Sequence, residues 1–104
     1  MARPYSQKFL LELYRNEANS LGVNLARLCV NANLPATYVA AALETTRTTV
    51  YSWFRGQGIR EHKRKVVEVF IDLLKEDFKS GVLPVANLDD AQEYIEAMTG
   101  KKVH

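Results

Sequence analysis

The side chains with most to offer chemically are Arg47, Thr48, Tyr51, Ser52 and Arg55, spread over nine consecutive positions. Wound into a helix at roughly 100° per residue, Thr48, Ser52 and Arg55 share one side. Tyr51 lies at its edge, and Arg47 in the first turn reaches past the end. Val50, Trp53 and Phe54 fall on the opposite side, where they can bury. The polar side contains no nucleophile paired with a base and no metal ligands. Its chemistry is recognition by hydrogen bonding. An arginine can donate two parallel bonds to guanine O6 and N7, a threonine can bond a base edge or meet a thymine methyl, and Ser52 and Tyr51 can add short polar contacts. Arg47, Thr48, Tyr51 and Ser52 are therefore the candidate base-contacting residues. Phosphate contacts are expected from Thr37 and Thr46, which sit near helix N-termini, from Arg55 at the helix end, and from Gln57, Arg60, Lys63, Arg64 and Lys65 beyond it.

Charge placement points the same way. The whole chain of 104 residues has a net charge of only +2. Between Arg47 and Lys65 stand six basic residues and one acid, Glu61, so the remainder of the chain is net acidic. A local basic concentration on a near-neutral protein suits a phosphate-facing surface. Other functions find little footing. His62, His104 and the single cysteine, Cys29, are far apart in sequence, and no metal-ligand spacing, glycine-rich phosphate loop or nucleophile motif occurs. No enzyme activity, cofactor or small-molecule ligand is expected. One thiol cannot form an internal disulfide, no signal peptide is visible, and the apolar runs are too short to span a membrane, so a cytoplasmic protein is expected.

These residues need helices to position them, and helical spacing recurs throughout, with no alternating strand pattern. The expected fold is all-α, a single domain of about six helices over residues 1–104. The first helix runs from about Tyr5 to Asn19 and carries Phe9, Leu10, Leu13, Tyr14 and Ala18. After Leu21-Gly22, a second carries Leu25, Ala26, Leu28, Cys29 and Ala32. Leu34-Pro35 interrupts the chain, since a residue before proline is biased out of the helical region. A short helix from about Ala36 to Leu43 follows, and Thr46 caps the next, Arg47 to Arg55. Gly56 and Gly58 end it. The longest helix starts near Arg60 or Glu61, with Val66, Phe70, Leu73 and Leu74 serving the core and Val67, Ile71 and Phe78 reaching further round. After Leu83-Pro84, Asn87 or Asp89 caps a last helix carrying Leu88, Ala91, Tyr94, Ile95 and Met98, and Lys101 to His104 is expected to fray.

Residues 34 to 56, LPATYVAAALETTRTTVYSWFRG, read as helix, turn, helix. This segment resembles the helix-turn-helix of Cro/CI-type (XRE-like) bacterial and phage repressors. Val39 and Ala40 match the aliphatic–alanine pair of the first helix, and Leu43 the last apolar residue before the turn. Val50 matches the aliphatic residue of the recognition helix, and Trp53 and Gly56 a frequent Trp-x-x-Gly ending. Leu21, Gly22, Leu25, Leu28 and Leu34 resemble the preceding helix. The resemblance covers residues 21 to 56 and implies a DNA-binding core over 21–80, with the extra helix of 1–20 and the helix and tail of 82–104 outside it. It implies a transcriptional regulator of the repressor type that inserts the helix 47–55 into the major groove of double-stranded DNA, with the loop Gln57 to Arg60 also approaching. Where the family often has glycine in the turn, this chain has Glu44, so a slightly different turn is expected. The apolar surplus on the last two long helices suggests a homodimer through the C-terminal half, because two recognition helices about 34 Å apart read two half-sites. The rival reading is a helix-turn-helix adaptor that binds a protein such as RNA polymerase or a toxin.

Overall fold

Short-range signals start and stop most of the helices. The computed structural model describes residues 4–100 and 102, so the tail expected at 101–104 lies, apart from Lys102, outside the described residues, as does His104. Six helices form: α1 (Gln7–Arg15), α2 (Leu21–Ala32), α3 (Ala36–Ala42), α4 (Arg47–Phe54), α5 (Glu61–Lys79) and α6 (Leu88–Thr99), with no strand among the described residues. The all-α expectation therefore holds. Serine, threonine or asparagine caps four of the six. The side chains of Ser6, Ser20, Thr46 and Asn87 each accept a bond from the backbone N–H three residues on, at 2.8–3.2 Å. Asp89 and Asp90 stand in the first turn of α6, where they complement the helix dipole.

Three boundaries differ from expectation. α1 starts at Gln7, because Ser6 caps it, and not at Tyr5. α1 stops at Arg15 instead of continuing to Asn19. The Asn16 side chain accepts from the Ala18 N–H at 2.9 Å, while Arg27 on α2 donates to the Asn16 carbonyl at 2.6 Å. An asparagine offering its own turn, and a cation holding the carbonyl, outcompete one more helical turn. Ala18 is consequently exposed. α2 starts at Leu21, because Ser20 caps it, so Leu21 and Gly22 belong to its first turn.

The core forms around α2, which packs on α1, α4 and α5, while α3 bridges α4 and α6. Val23, Leu25, Ala26, Cys29 and Ala32 are wholly enclosed on α2. Burial pushes the Cys29 thiol up, far from the thiolate range, so it serves as a small apolar core group. Tyr5, ahead of α1, donates its hydroxyl to the Leu34 carbonyl at 2.6 Å and ties the N-terminal segment to the start of α3. The segment before α6 crosses the end of α2, where the Val85 N–H donates to Ala32 O at 3.1 Å and the Asn33 amide donates to Val85 O at 2.9 Å.

The long helix presents a different face from the one expected. Val67, Phe70, Ile71 and Leu74 are its buried residues, whereas Val66, Val69 and Leu73 are 45%, 50% and 44% exposed. Its apolar arc is wider than one core requires, so periodicity alone left two faces available. α6 turns Ala91 and Ile95 inward, and its Tyr94 hydroxyl donates to Asp77 on α5. Ala91, Tyr94 and Ile95 of the α6 stripe are thus used within the chain, while Leu88 at its start, Val82 ahead of it, and Val66, Val69 and Leu73 of α5 remain exposed. No helix among the described residues is long and apolar enough to cross a membrane.

Candidate nucleic-acid interface

α3 and α4 meet through small and branched side chains. Val39 and Ala40 of α3, Leu43 of the turn, and Val50, Trp53 and Phe54 of α4 are all buried. The turn between them takes a left-handed residue, as the resemblance implies, but Glu44 supplies it, at φ 55°. For a non-glycine residue that conformation costs on the order of 1 kcal/mol. Lys63, in the first turn of α5, supplies the compensation. Its ammonium donates to Leu43 O at 2.7 Å and to Glu44 O at 3.3 Å. Bonds from a charged donor contribute about 1.5–3 kcal/mol. Lys63→Met should therefore destabilise the fold by about 2 kcal/mol. Adding Glu44→Gly should recover part of that loss, because glycine meets the positive φ without strain. Urea melts of the two variants check this, and a Lys63→Met midpoint equal to that of the original chain would count against it.

The solvent side of α4 is a ridge between two hollows. The first, about 460 Å³, is lined by Pro4, Ser6 and Phe9 from the N-terminal segment and by Arg47, Thr48, Tyr51, Ser52 and Arg55. The second, about 380 Å³, is lined by Thr45, Thr49, Ser52, Trp53, Gln57, Gly58, Arg60, His62 and Lys63. Ser52 belongs to both walls and marks the crest, where its hydroxyl donates to Thr48 O at 3.2 Å. Neither hollow has a carboxylate in its lining, and both contain cations. A third and larger hollow, between α2 and α5, is of mixed sign, with Arg27, Lys65 and Lys75 facing Glu68 and Asp72.

The structure brings together all four expected base-contacting residues and Arg55 in the first hollow, and Gln57, Arg60 and Lys63 in the second. It deploys several of them in ways the sequence did not foretell. Tyr51 is half-buried, its ring packed against Phe9, Tyr5 and Phe54. Thr46 is exposed, yet its hydroxyl caps α4 and donates to Thr49 Oγ1 at 2.9 Å. Lys63 holds the turn. Lys65 lines the mixed hollow, because two residues beyond Lys63 is roughly 200° round the helix. Arg64 and Thr37 are exposed but border neither hollow of α4. The second hollow also contains Thr45 and Thr49 of the threonine-rich turn and His62 of the basic run, for which the sequence leaves DNA contact open beside capping or solvent exposure. The first hollow adds Ser6 and Phe9, which the sequence does not single out, since only the docking of α1 on α4 brings them there.

No protein-family model matches this chain, and neither a curated protein nor a solved structure is similar to it.

Proposed function

We propose that this chain is a sequence-specific double-stranded DNA-binding protein, a transcriptional regulator acting as a repressor in a bacterial or phage-infected cytoplasm. α4 is its major-groove element. The observation that carries the reading is the ridge with a cationic, acid-free hollow on each flank. A helix lying in the major groove meets base edges along its crest and a sugar–phosphate backbone on either side. The crest residues Thr48 and Ser52 face the bases, with Arg47 at the entering end. Arg55 on one flank, and Arg60, His62 and Gln57 on the other, face the backbones. The residues matched to Cro/CI-type regulators support the same reading, since Val39, Ala40, Leu43, Val50 and Trp53 are all buried.

Selection of bound sequences from a random duplex pool at moderate salt tests the proposal directly. An enriched common sequence is the expected result, with affinity falling linearly in log–log coordinates as salt rises. Failure to retain any duplex at low salt would dispose of it and leave the adaptor reading.

The functional unit is a homodimer through α5. Val66, Val69 and Leu73 form an exposed stripe at spacings of three and four. Along that stripe the N-terminal end carries the basic Lys65, and the C-terminal end the acidic Asp72 and Glu76. A second copy running antiparallel about a two-fold axis near Val69 sets Val66 of one copy close to Leu73 of the other, and Lys65 close to Asp72. The pairing is self-complementary, as two-fold symmetry demands. Sedimentation at tens of micromolar should show dimer for the original chain and monomer for Val69→Lys, which brings two like charges to the axis. A monomeric original chain would refute this assembly.

A further inference from the structure

We infer that Tyr51 is a positioning residue, through which the N-terminal helix holds Arg47 and Arg55 in place on the exposed face of α4. The two guanidinium carbons lie 5.4 and 5.6 Å from the centroid of the Tyr51 ring. One arginine stands four residues before the tyrosine and the other four after, so both reach the same ring along one helical stripe. Neither makes an ion pair with a described residue. The ring's electron-rich face is the group that attracts each cation, and it lies between two charges that repel each other. A long arginine side chain otherwise loses much rotamer freedom on binding, and a held one loses less.

The ring in turn is fixed by aromatic neighbours from the other end of the chain. Phe9 meets it edge-on at 5.3 Å and 87°, and Tyr5 at 6.3 Å and 76°. Phe54, one turn along α4, meets it at 5.8 Å and 77°. Tyr5 and Phe9 themselves stack at 5.4 Å, and Tyr5 is anchored by its bond to Leu34 O. α1 and its leading segment lie outside the stretch that resembles known regulators. Their role is to clamp the tyrosine that aims the arginines.

The DNA consequence rests on the function proposed above, but the clamp can be observed without DNA. In the free protein, the side-chain NMR signals of Arg47 and Arg55 should be shifted upfield by the Tyr51 ring. They should lose that shift in Tyr51→Leu and keep it in Tyr51→Phe. With a duplex selected from the random pool, Tyr51→Leu should weaken binding on the order of tenfold. Tyr51→Phe should bind within about twofold of the original chain, since the ring and not the hydroxyl does the positioning. Phe9→Leu, on the wall of the first hollow and not on the crest, should weaken binding in the same direction. Arginine signals that are identical in Tyr51→Leu and the original chain would overturn the clamp whether or not DNA binds. Equal losses in Tyr51→Phe and Tyr51→Leu would overturn it in favour of a direct base contact by the hydroxyl. If the original chain binds no duplex, the function proposed above fails and the NMR comparison alone decides the clamp.

Discussion

Gly22→Ala should lower the melting temperature by about 12 °C or more, the largest stability change expected of any single methyl group in this protein. Gly22 is in the first turn of α2, pressed against the C-terminal end of α4. A β-carbon there would lie 2.1 Å from the Trp53 carbonyl oxygen, 2.7 Å from its carbon and 3.0 Å from its Cα. All three atoms are backbone, so no side chain can swing aside, and either α2 or α4 must shift. Overpacking a core typically costs about 1–3 kcal/mol, and a clash between two helix backbones belongs at or above the upper end. Domains of this size have only about 5–15 kcal/mol to lose. Each kcal/mol moves the midpoint by about 4–8 °C in a chain of 60–100 residues. A melt followed by circular dichroism reads the effect, and a midpoint within two or three degrees of the original, roughly the shift expected from half a kcal/mol, would show that the approach of α2 to α4 is looser than described. The same contact sets the tilt of α4, so under the function proposed above any folded remainder of Gly22→Ala should also bind DNA more weakly.

Arg47→Ala and Arg60→Ala should impair DNA binding in two distinguishable ways. Under the function proposed above, Arg47 enters the groove at the start of α4 and reads a base. Its loss should cost about 1–3 kcal/mol on the preferred sequence and nearly nothing on unrelated duplex, so that preference at one position collapses. Arg60, on the wall of the second hollow, would on the same reading face a backbone. Its loss should weaken all sequences about equally and reduce the slope of log affinity against log salt by roughly one. Titrations of both variants on selected and scrambled duplexes, at several salt concentrations, separate these outcomes. If neither substitution changes binding to genomic fragments, the polar face of α4 serves another partner. Lys63→Ala is a poor probe of phosphate contact, because removing its ammonium releases the turn at Leu43 and Glu44.

Much of the architecture was legible because it is decided within four residues along the chain. Thr46 capping α4, Asn87 capping α6, Pro35 preceding α3, and Gly56 at φ 102° after α4 each act on backbone groups close by. The two-sided character of α4 was legible for the same reason, since 3.6 residues per turn place Val50, Trp53 and Phe54 together. Glu44 shows the limit of such reasoning. The strain of its conformation could be anticipated locally, but its relief by a lysine nineteen residues on could not.

The amino-acid order by itself determined the helices, their caps, the basic segment and the polar crest from Arg47 to Arg55. Tertiary structure decided which side of α5 turned inward, Val67 and Ile71 in place of Val66 and Leu73, because an apolar arc broader than its seat has no preferred rotation until neighbours fill one side. It decided that Lys63 braces the turn while Lys65 looks elsewhere, and that the N-terminal aromatics lie beneath Tyr51. Those outcomes depend on groups 19 to 46 positions apart in the chain. No local periodicity encodes them, and they arise only when the helices pack so that buried donors find carbonyls and exposed cations find rings.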